Sequence, residues 1–295
     1  MNDAPAKSQG RVRTIGLSIA LGLVVATSLY AAARFGAEPK RCAKGSVALG
    51  ARCCGEGQAL EGDRCVGTPR ACPGELQPSE AGCVATQRRV AIDAGKLVVS
   101  PLDWEAAGQS KYEAHVAAFE LDAFEVDEAA WAACSARGLC PDRGREREPG
   151  RAVSGIDHAE ATAYCASVGG RLPSWDELSF ATSGVEAHRY PWGPTGLVCR
   201  RASYGLVEGP CGRGATGPEL VGARPDGATP RGIHDLAGNV AEWTSTVQAG
   251  EAWVFGGSFR DSAAARLRSW ARRGERVEAR PDDVGLRCAY AARGG

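Results

Sequence analysis

A regular spacing of cysteines constrains the early part of this 295-residue chain more than any other feature. Three units of twelve residues each begin and end with cysteine: Cys42–Cys53, Cys54–Cys65 and Cys72–Cys83. A stretch of about 40 residues cannot bury a hydrophobic core large enough to fold without cross-links. We therefore predict three small loops, each closed by a disulfide within its own unit, although six cysteines allow about 15 connectivities.

A zinc cluster is the alternative use of these cysteines. It is disfavoured, because zinc ribbons place pairs of cysteines two residues apart and residues 42–83 lack that spacing. The whole chain has 12 cysteines, an even number and a high one for a reducing compartment. We therefore expect an oxidising compartment, in which residues 42–83 act as a stalk rather than as a binding module.

The segment 14–33 carries no charge and, as a helix, is long enough to cross a hydrocarbon core of about 30 Å. Three basic residues precede it, which places residues 1–13 in the cytoplasm as a short tail. The segment is either a retained signal anchor or a signal peptide cleaved near Ala31–Ala33. We favour the anchor, because the apolar run exceeds the usual ~7–15 residues. The protein is then a single-pass membrane protein whose C-terminal domain is periplasmic or extracellular.

The net charge gives no reason to expect a nucleic-acid partner, and the composition favours loops. Lys+Arg and Asp+Glu are equal at 35 each, so nothing in the net charge favours nucleic acid. The chain has 39 glycines and 16 prolines, which favour turns and loops over long helices.

The predicted elements beyond residue 88 are short. Apolar or alternating stretches predict strands, and side-chain caps, two of them followed by glutamate three residues later, predict helices. The strands are predicted at 90–99 (a pair or one bulged strand), 119–126, 253–259 and 284–290; the helices begin after Asp127, Asp157 and Ser174, and residues 184–230 are mostly loop. This pattern indicates an irregular α+β fold.

Five motifs in the second half of the chain resemble those of one family. They occupy residues 171–181, 190–193, 232–243, 256–259 and 285–288. Their composition and order resemble the sulfatase-modifying-factor, or formylglycine-generating-enzyme-like, domain over residues 89–292. The resemblance implies a compact variant of the C-type lectin-like fold that follows the membrane segment and the cysteine-rich module.

At two positions that matter for the family's chemistry, this chain has residues other than cysteine. Family members that make formylglycine carry two cysteines about three and eight residues beyond the serine of the fourth motif, where thiolates bind Cu(I). The matching positions here are Asp261 and Arg266. Neither side chain is a soft ligand, and an arginine repels a cation. We therefore assign no catalytic residue and expect no copper.

Iron is not expected either. A second branch of the superfamily uses three histidines at an iron site, whereas the four histidines here are widely scattered and lack the matching spacing. His234 is the best single candidate for acid–base work, although it more simply fills the place of a family tyrosine.

Calcium and one disulfide are also implied by the family, and closeness in sequence suggests two further disulfides. The family holds a structural Ca²⁺ with an asparagine and a glutamate that correspond to Asn239 and Glu242, oxygen ligands that suit this ion; hydrogen bonds that tie the loop are the equal alternative. The resemblance pairs Cys165 with Cys288. Two further pairs close short segments, Cys134 with Cys140 and Cys199 with Cys211.

Arginines are concentrated in the last forty residues. They form either a basic groove or a solvated face paired with neighbouring acids, and we favour the paired face. The candidate binding surface comprises His234, Arg260, Arg266, Trp253 and Trp270, where indole and guanidinium groups can stack, although core packing is the usual role of tryptophan.

Two functions are consistent with these observations. The favoured one is an exported, membrane-tethered binding or scaffolding module for an exported peptide, glycan or envelope protein, without formylglycine-generating activity. The alternative is an active oxidase of the same superfamily that uses a relocated site.

Overall fold

The computed structural model describes residues 46–49, 52–61, 64–72, 76–79, 82–99, 111–144, 148–212 and 214–293. The predicted tail and membrane segment, residues 1–33, and Cys42 lie outside the described residues. Within the described residues, every helix is too short or too polar to cross a membrane.

Each cysteine unit contains an antiparallel hairpin. The strands are β1 (Ser46–Leu49), β2 (Arg52–Gly55), β3 (Ala59–Glu61), β4 (Arg64–Val66), β5 (Gln77–Ser79) and β6 (Gly82–Val84), paired in that order. Disulfides join Cys54 to Cys65 and Cys72 to Cys83, as predicted, with Cα atoms 5.5 and 5.6 Å apart. The Cys42–Cys53 pair stays a prediction, because Cys42 is outside the described residues.

The third cysteine unit packs against the domain that follows it. Leu76 is buried, and a Cβ atom added at Gly222 would lie 3.3 Å from Leu76 and 2.7 Å from Phe124. A Cβ atom at Gly150 would lie 3.0 Å from the carbonyl oxygen of Cys83. These close approaches make the third unit part of the packed structure, and the role of residues 42–83 as a stalk stays a prediction.

The domain beyond residue 88 has short strands arranged in three sheets. The strands are β7 (Arg89–Ile92), β8 (Gly95–Val99), β9 (Tyr112–Val116), β10 (Phe119–Asp122), β11 (Ala241–Gln248), β12 (Glu251–Phe255), β13 (Arg272–Arg276), β14 (Val284–Gly285) and β15 (Ala289–Ala291). The sheet orders are β15-β10-β7, β13-β12-β11-β14 and β8-β9. All pairs are antiparallel except β11 with β14.

Three short α-helices lie between β10 and β11. They are α1 (Glu128–Ala136), α2 (His158–Ser167) and α3 (Trp175–Ser183). Asp127 accepts a hydrogen bond from the Ala130 amide at the start of α1, and capping boxes open α2 and α3 as predicted. The loop predicted at 184–230 has one described helical turn, the 3₁₀ segment Pro225–Gly227. The fold is therefore mixed α/β with few helices.

Several strand predictions differ from the structure. The strand predicted at 119–126 ends at Asp122, and the one predicted at 284–290 divides into β14 and β15. The predicted pair within residues 90–99 becomes β7 and β8, which do not pair with each other but join different sheets. The break at Asp93–Ala94 lets the chain change sheets while Val90 and Leu97 both reach the same core. Strand β13 is not predicted from the sequence, because residues 272–276 lack the apolar alternation that is typical of a strand. Its position depends on backbone pairing with β12.

Three disulfides fix the domain. Cys165 of α2 joins Cys288, which precedes β15, across 123 residues. Cys134 joins Cys140 behind α1, and Cys199 joins Cys211 in the long loop. No described cysteine is free.

Candidate functional site

The segment 232–243 crosses the centre of the domain and ties three loops together. The Gly238 amide donates to the Gly256 carbonyl at 2.9 Å and the Asn239 amide donates to the Ser203 carbonyl at 2.8 Å. Gly238 has φ +93°, and a Cβ atom there would lie 2.5 Å from the Ser203 carbonyl oxygen. Only glycine fits this combination of left-handed backbone and close approach.

A buried ion pair lies beneath this segment. The side chain of Arg287 is 0% exposed and that of Glu242 is 1% exposed. The Nε atom of Arg287 donates to both carboxylate oxygens of Glu242, at 2.9 and 2.8 Å, and Nη2 donates to one of them at 2.7 Å. The remaining donors of Arg287 reach the carbonyls of Asp122 and His234 at 3.1 and 2.7 Å. The guanidinium is thus satisfied, as a buried charge must be.

Asn239 is also fully bonded to the protein. Its Oδ1 accepts from the Glu219 amide at 2.8 Å, and its Nδ2 donates to Glu125 at 2.5 Å. Glu125 additionally accepts from the Val240 amide at 3.1 Å. Burial raises the pKa of Glu125 well above its ordinary value, and the neighbouring carboxylates of Asp235 and Glu242 raise it further.

These residues do not fit a calcium ion. The carboxylate of Glu242 is already held by an arginine cation, which repels a divalent cation, and Asn239 Oδ1 already has a backbone donor. No group of three or more potential metal ligands occurs among the described histidine, cysteine, aspartate and glutamate residues. The geometry therefore corresponds to the hydrogen-bonded alternative for Asn239 and Glu242.

The position of the first family cysteine lies in a network of charged groups. Asp261 Oδ2 accepts from the Ser258 amide at 2.8 Å and lies 3.6 Å from Arg273. The Ser258 hydroxyl lies 3.0 Å from Asp261 and 2.8 Å from Asp283, and donates to one of them. Arg273 pairs with Asp283 at 2.9 Å and Glu275 at 2.8 Å. Asp261 thus lies among hydrogen-bond donors and beside an arginine.

The position of the second family cysteine is equally unsuited to a soft metal. Arg266 is exposed and lines a cavity together with Asp261, Arg272 and Arg273. The volume of this cavity is about 10 Å³, about the space that one water molecule needs. Three arginines therefore surround this place, and the cavity among them is small.

The histidines do not assemble into a site. His234 is 2% exposed and its ring stacks on Phe124 at a centroid distance of 4.6 Å, so it belongs to the core and not to an exposed binding surface. His158 hydrogen-bonds to the Thr244 carbonyl at 2.9 Å, and His188 lies 2.8 Å from Glu186. His115 lies on β9.

The other residues of the predicted binding surface are largely engaged with the protein. Arg260 pairs with Asp282, while Trp253 and Trp270 are half-buried and pack against the core. Pairing with Glu275, Glu278, Asp282 and Asp283 is therefore the observed state of several C-terminal arginines.

Sequence reasoning included Arg272 in the cluster of C-terminal arginines but overlooked its contact with Trp175. Its guanidinium carbon lies 3.9 Å from the Trp253 ring centroid and 4.6 Å from that of Trp175. The two indole rings meet edge to face at 5.7 Å. Because Trp175 belongs to α3 and Arg272 to β13, this contact depends on tertiary structure, and no local pattern signals it.

Comparison with known proteins identifies the family. The sequence pattern of the sulfatase-modifying factor enzyme 1-like domain matches residues 75–292. The chain belongs to this family. The match begins within the third cysteine unit, which agrees with the packing of Leu76 against the sulfatase-modifying-factor-like domain.

Curated relatives cover parts of this domain. The protein named inactive C-alpha-formylglycine-generating enzyme 2 of Bos taurus is 33% identical over 149 residues, which are 45% of this chain and 48% of the relative. Hercynine oxygenase of Mycolicibacterium thermoresistibile is 35% identical over 102 residues, 33% of this chain and 21% of the relative. The chain thus spans about half, or less, of the length of these relatives.

A solved structure shows the same fold. PvdO from Pseudomonas aeruginosa superposes with a TM-score of 0.57 at 17% sequence identity, covering 69% of this chain and 94% of PvdO. At this identity the likeness concerns the fold alone.

Proposed function

We propose that the protein is an exported, membrane-tethered binding or scaffolding module with a C-type lectin-like fold and no formylglycine-generating activity. The observation that carries this proposal is the state of the two cysteine positions. Asp261 is bonded to Ser258 and lies 3.6 Å from Arg273, and Arg266 adds a second positive charge beside it.

The chemistry of copper supports the proposal. Cu(I) prefers soft thiolate ligands, whereas Asp261 is a hard carboxylate and Arg266 is a cation. Three arginines around a cavity of about 10 Å³ disfavour a cation at this place. The relative whose printed name calls it inactive is consistent with this interpretation.

Five disulfides support export. They join cysteines in both the hairpin units and the family domain, and disulfides persist in oxidising compartments such as the periplasm or the cell exterior. We expect a partner from that compartment, which is a peptide, a glycan or an envelope protein, and no copper or iron cofactor.

The test is a turnover assay on the full chain. The protein is incubated with Cu(I), dioxygen and a cysteine-containing sulfatase peptide, and the peptide is examined by mass spectrometry for conversion of cysteine to formylglycine. An active formylglycine-generating enzyme serves as the positive control. We expect no conversion by this chain. Conversion would overturn the proposal in favour of the oxidase, and stoichiometric Cu(I) binding would contradict the absence of a copper site.

A matched variant sharpens the assay. Asp261→Cys combined with Arg266→Cys places thiols at both family positions and removes one acidic and one basic side chain. Because both side chains lie outside the buried core, we expect this variant to remain folded and to gain Cu(I) binding over the native chain. Equal Cu(I) binding by the two proteins would argue against the importance of these positions.

A further inference from the structure

A cleft of about 880 Å³ lies where the third cysteine unit meets the family domain. One wall is the segment that leaves β6, between Val84 and Arg89, and the others come from residues 122–130, α2 and the end of β15. Its volume is within the range of ~300–1,000 Å³ that ligand clefts show. Neither Asp261 nor Arg266 lines it, so it is separate from the place of the family cysteines.

Asp122 at the floor of this cleft has an unused acceptor. The residue is 3% exposed, and its Oδ2 accepts from the Cys288 amide at 3.1 Å and from the Tyr290 hydroxyl at 3.4 Å. Its Oδ1 has no hydrogen-bond partner among the described residues. Buried acceptors without donors are costly and rare, so a donor supplied by a ligand would satisfy Asp122.

Two further carboxyl groups line the same cleft, those of Asp127 and Glu125. Each already accepts hydrogen bonds from backbone amides, those of Ala130 and Val240 respectively, and burial raises the pKa of both. The unused oxygen of Asp122 is therefore the acceptor that favours a positively charged donor, namely an ammonium or a guanidinium group.

The tyrosines of the cleft disfavour a sugar ligand. The Tyr164 ring stacks on Trp131 at 5.6 Å, and the guanidinium of Arg89 covers the Tyr290 ring at 3.5 Å. One face of each ring is therefore already occupied, which leaves little aromatic platform. Burial raises the pKa of the Tyr164 hydroxyl, which keeps it protonated and able to donate a hydrogen bond.

The mouth of the cleft has the opposite charge. Arg89 and Arg293 line it and are exposed. Arg89 donates to the Val168 carbonyl at 3.4 Å, and Arg293 pairs with Glu120 at 3.1 Å. A guanidinium has five N–H donors, so both arginines retain donors for a ligand carboxylate. The charge changes from negative at the floor to positive at the mouth.

We propose that this cleft binds a short peptide segment, with a basic side chain paired with Asp122 and an acidic group paired with Arg89 and Arg293. The volume admits several residues, and the gradient of charge fixes their direction. This inference rests on the proposed binding function and deepens it by naming a site and a ligand chemistry.

The experiment measures retention of defined peptide pools on the immobilised full chain. One pool consists of tetrapeptides with arginine at a fixed position and all residues at the others, and the second pool has norleucine at that position. We expect the arginine pool to be retained at least tenfold more strongly, with acidic residues enriched beside the arginine when the retained peptides are sequenced by mass spectrometry. Equal retention of the two pools would overturn the proposal.

Variants locate the interaction. Asp122→Asn keeps an oxygen for the Cys288 amide but presents an N–H group in place of an acceptor, so we expect the preference for arginine to disappear. Asp282→Asn removes an exposed carboxylate outside the cleft and should leave retention unchanged. A preference that persists in Asp122→Asn, or one that disappears equally in Asp282→Asn, would contradict the assignment to Asp122.

An independent variant covers the case in which Asp122→Asn does not fold. Arg89→Gln changes an exposed residue at the mouth, and we expect it to keep arginine retention while losing the enrichment of acidic neighbours. Unchanged enrichment of acidic neighbours in Arg89→Gln would contradict the pairing of an acidic ligand group with the arginines at the mouth of the cleft. Failure of peptide retention leaves the formylglycine assay unaffected, and peptide turnover leaves the retention result unaffected, so the two proposals fail separately.

Discussion

Two clusters of arginine and carboxylate in this protein differ chiefly in burial. Arg287 and Glu242 are 0% and 1% exposed, whereas the Arg273 side chain is 23% exposed and its carboxylate partners are 13% to 25% exposed. The first cluster is built from the motifs 232–243 and 285–288 that resemble the family. The second surrounds Asp261, where the chemistry of the family differs.

The difference bears on which residues the fold requires and which it can exchange. A charge left alone in the core is strongly destabilising, so each member of the Arg287 cluster requires the others. Water and neighbouring charges partly screen the Arg273 cluster, so residues there can be exchanged at smaller cost. We therefore infer that the buried cluster maintains the fold and the partly exposed one permits changes in chemistry.

The largest effect that would test the difference between the two clusters is expected at Arg287. Arg287→Met leaves Glu242 without its cation and the carbonyls of Asp122 and His234 without a donor. We expect the free energy of unfolding to fall by about 3–5 kcal/mol, as for other broken buried ion pairs, measured by urea denaturation. A loss below about 1 kcal/mol would contradict a structural role for the pair.

The matched control replaces both partners. In the double variant Arg287→Met and Glu242→Leu no uncompensated charge remains at this pair, and two apolar groups can pack together. We expect it to recover a substantial part of the lost stability. A double variant less stable than Arg287→Met alone would show that packing, rather than charge, dominates this site.

Sequence reasoning was strongest where interactions are local. The caps at Asp157 and Ser174 involve glutamates three residues away, so the sequence contains both partners and the helices begin as predicted. The Arg287–Glu242 contact spans 45 residues, and the burial of Asp122 depends on β15 and on the segment after β6. Such contacts follow from topology, which residue spacing does not reveal.

His234 is a second case in which the sequence pattern does not reveal burial. A histidine beside an aspartate in a glycine-rich motif has the sequence pattern of a reactive group, yet it lies in the core against Phe124. The two positions that correspond to the family cysteines, Asp261 and Arg266, are assigned from the sequence more easily, because the assignment needs only their distance from Ser258 within one short segment.

Asp122 offers the second test, because it is buried without an ion pair in the described part of the chain. Burial raises its pKa from 3.8 to about 6, against the lowering effects of the Cys288 amide, Tyr290, Arg287 and Arg89. The native state therefore binds the proton more tightly than the unfolded state, and stability from this group is present below pH ~4 and lost as pH rises through ~6.

The corresponding measurement compares the native chain with Asp122→Asn. At about 1.4 kcal/mol per pKa unit, the change between pH 4 and pH 7 amounts to about 2 kcal/mol, which the variant should lack. Urea denaturation at both pH values gives the difference. Parallel stability–pH profiles for the two proteins would contradict the raised pKa.

Arg273 is expected to have a smaller effect. Arg273→Ala removes the cation beside Asp261, Asp283 and Glu275, but the carboxylates keep partial access to water and Asp261 retains the Ser258 amide. We expect a loss of about 1–2 kcal/mol, measured by urea denaturation and reduced when Asp261→Asn is added. A loss equal to that of Arg287→Met would remove the distinction between the clusters.

The smallest effect is expected at Arg276, on the same strand β13 as Arg273. Its side chain is 73% exposed and pairs with Glu278, which is 60% exposed. Solvent screens this pair almost completely, so Arg276→Ala should leave the urea midpoint unchanged at both low and high salt. The variant is a control for the loss of an arginine from β13, because backbone pairing with β12 is the same for both positions. If Arg276→Ala destabilised the protein as much as Arg273→Ala, the cost would belong to the strand, and burial would no longer account for the contrast between the two arginine clusters.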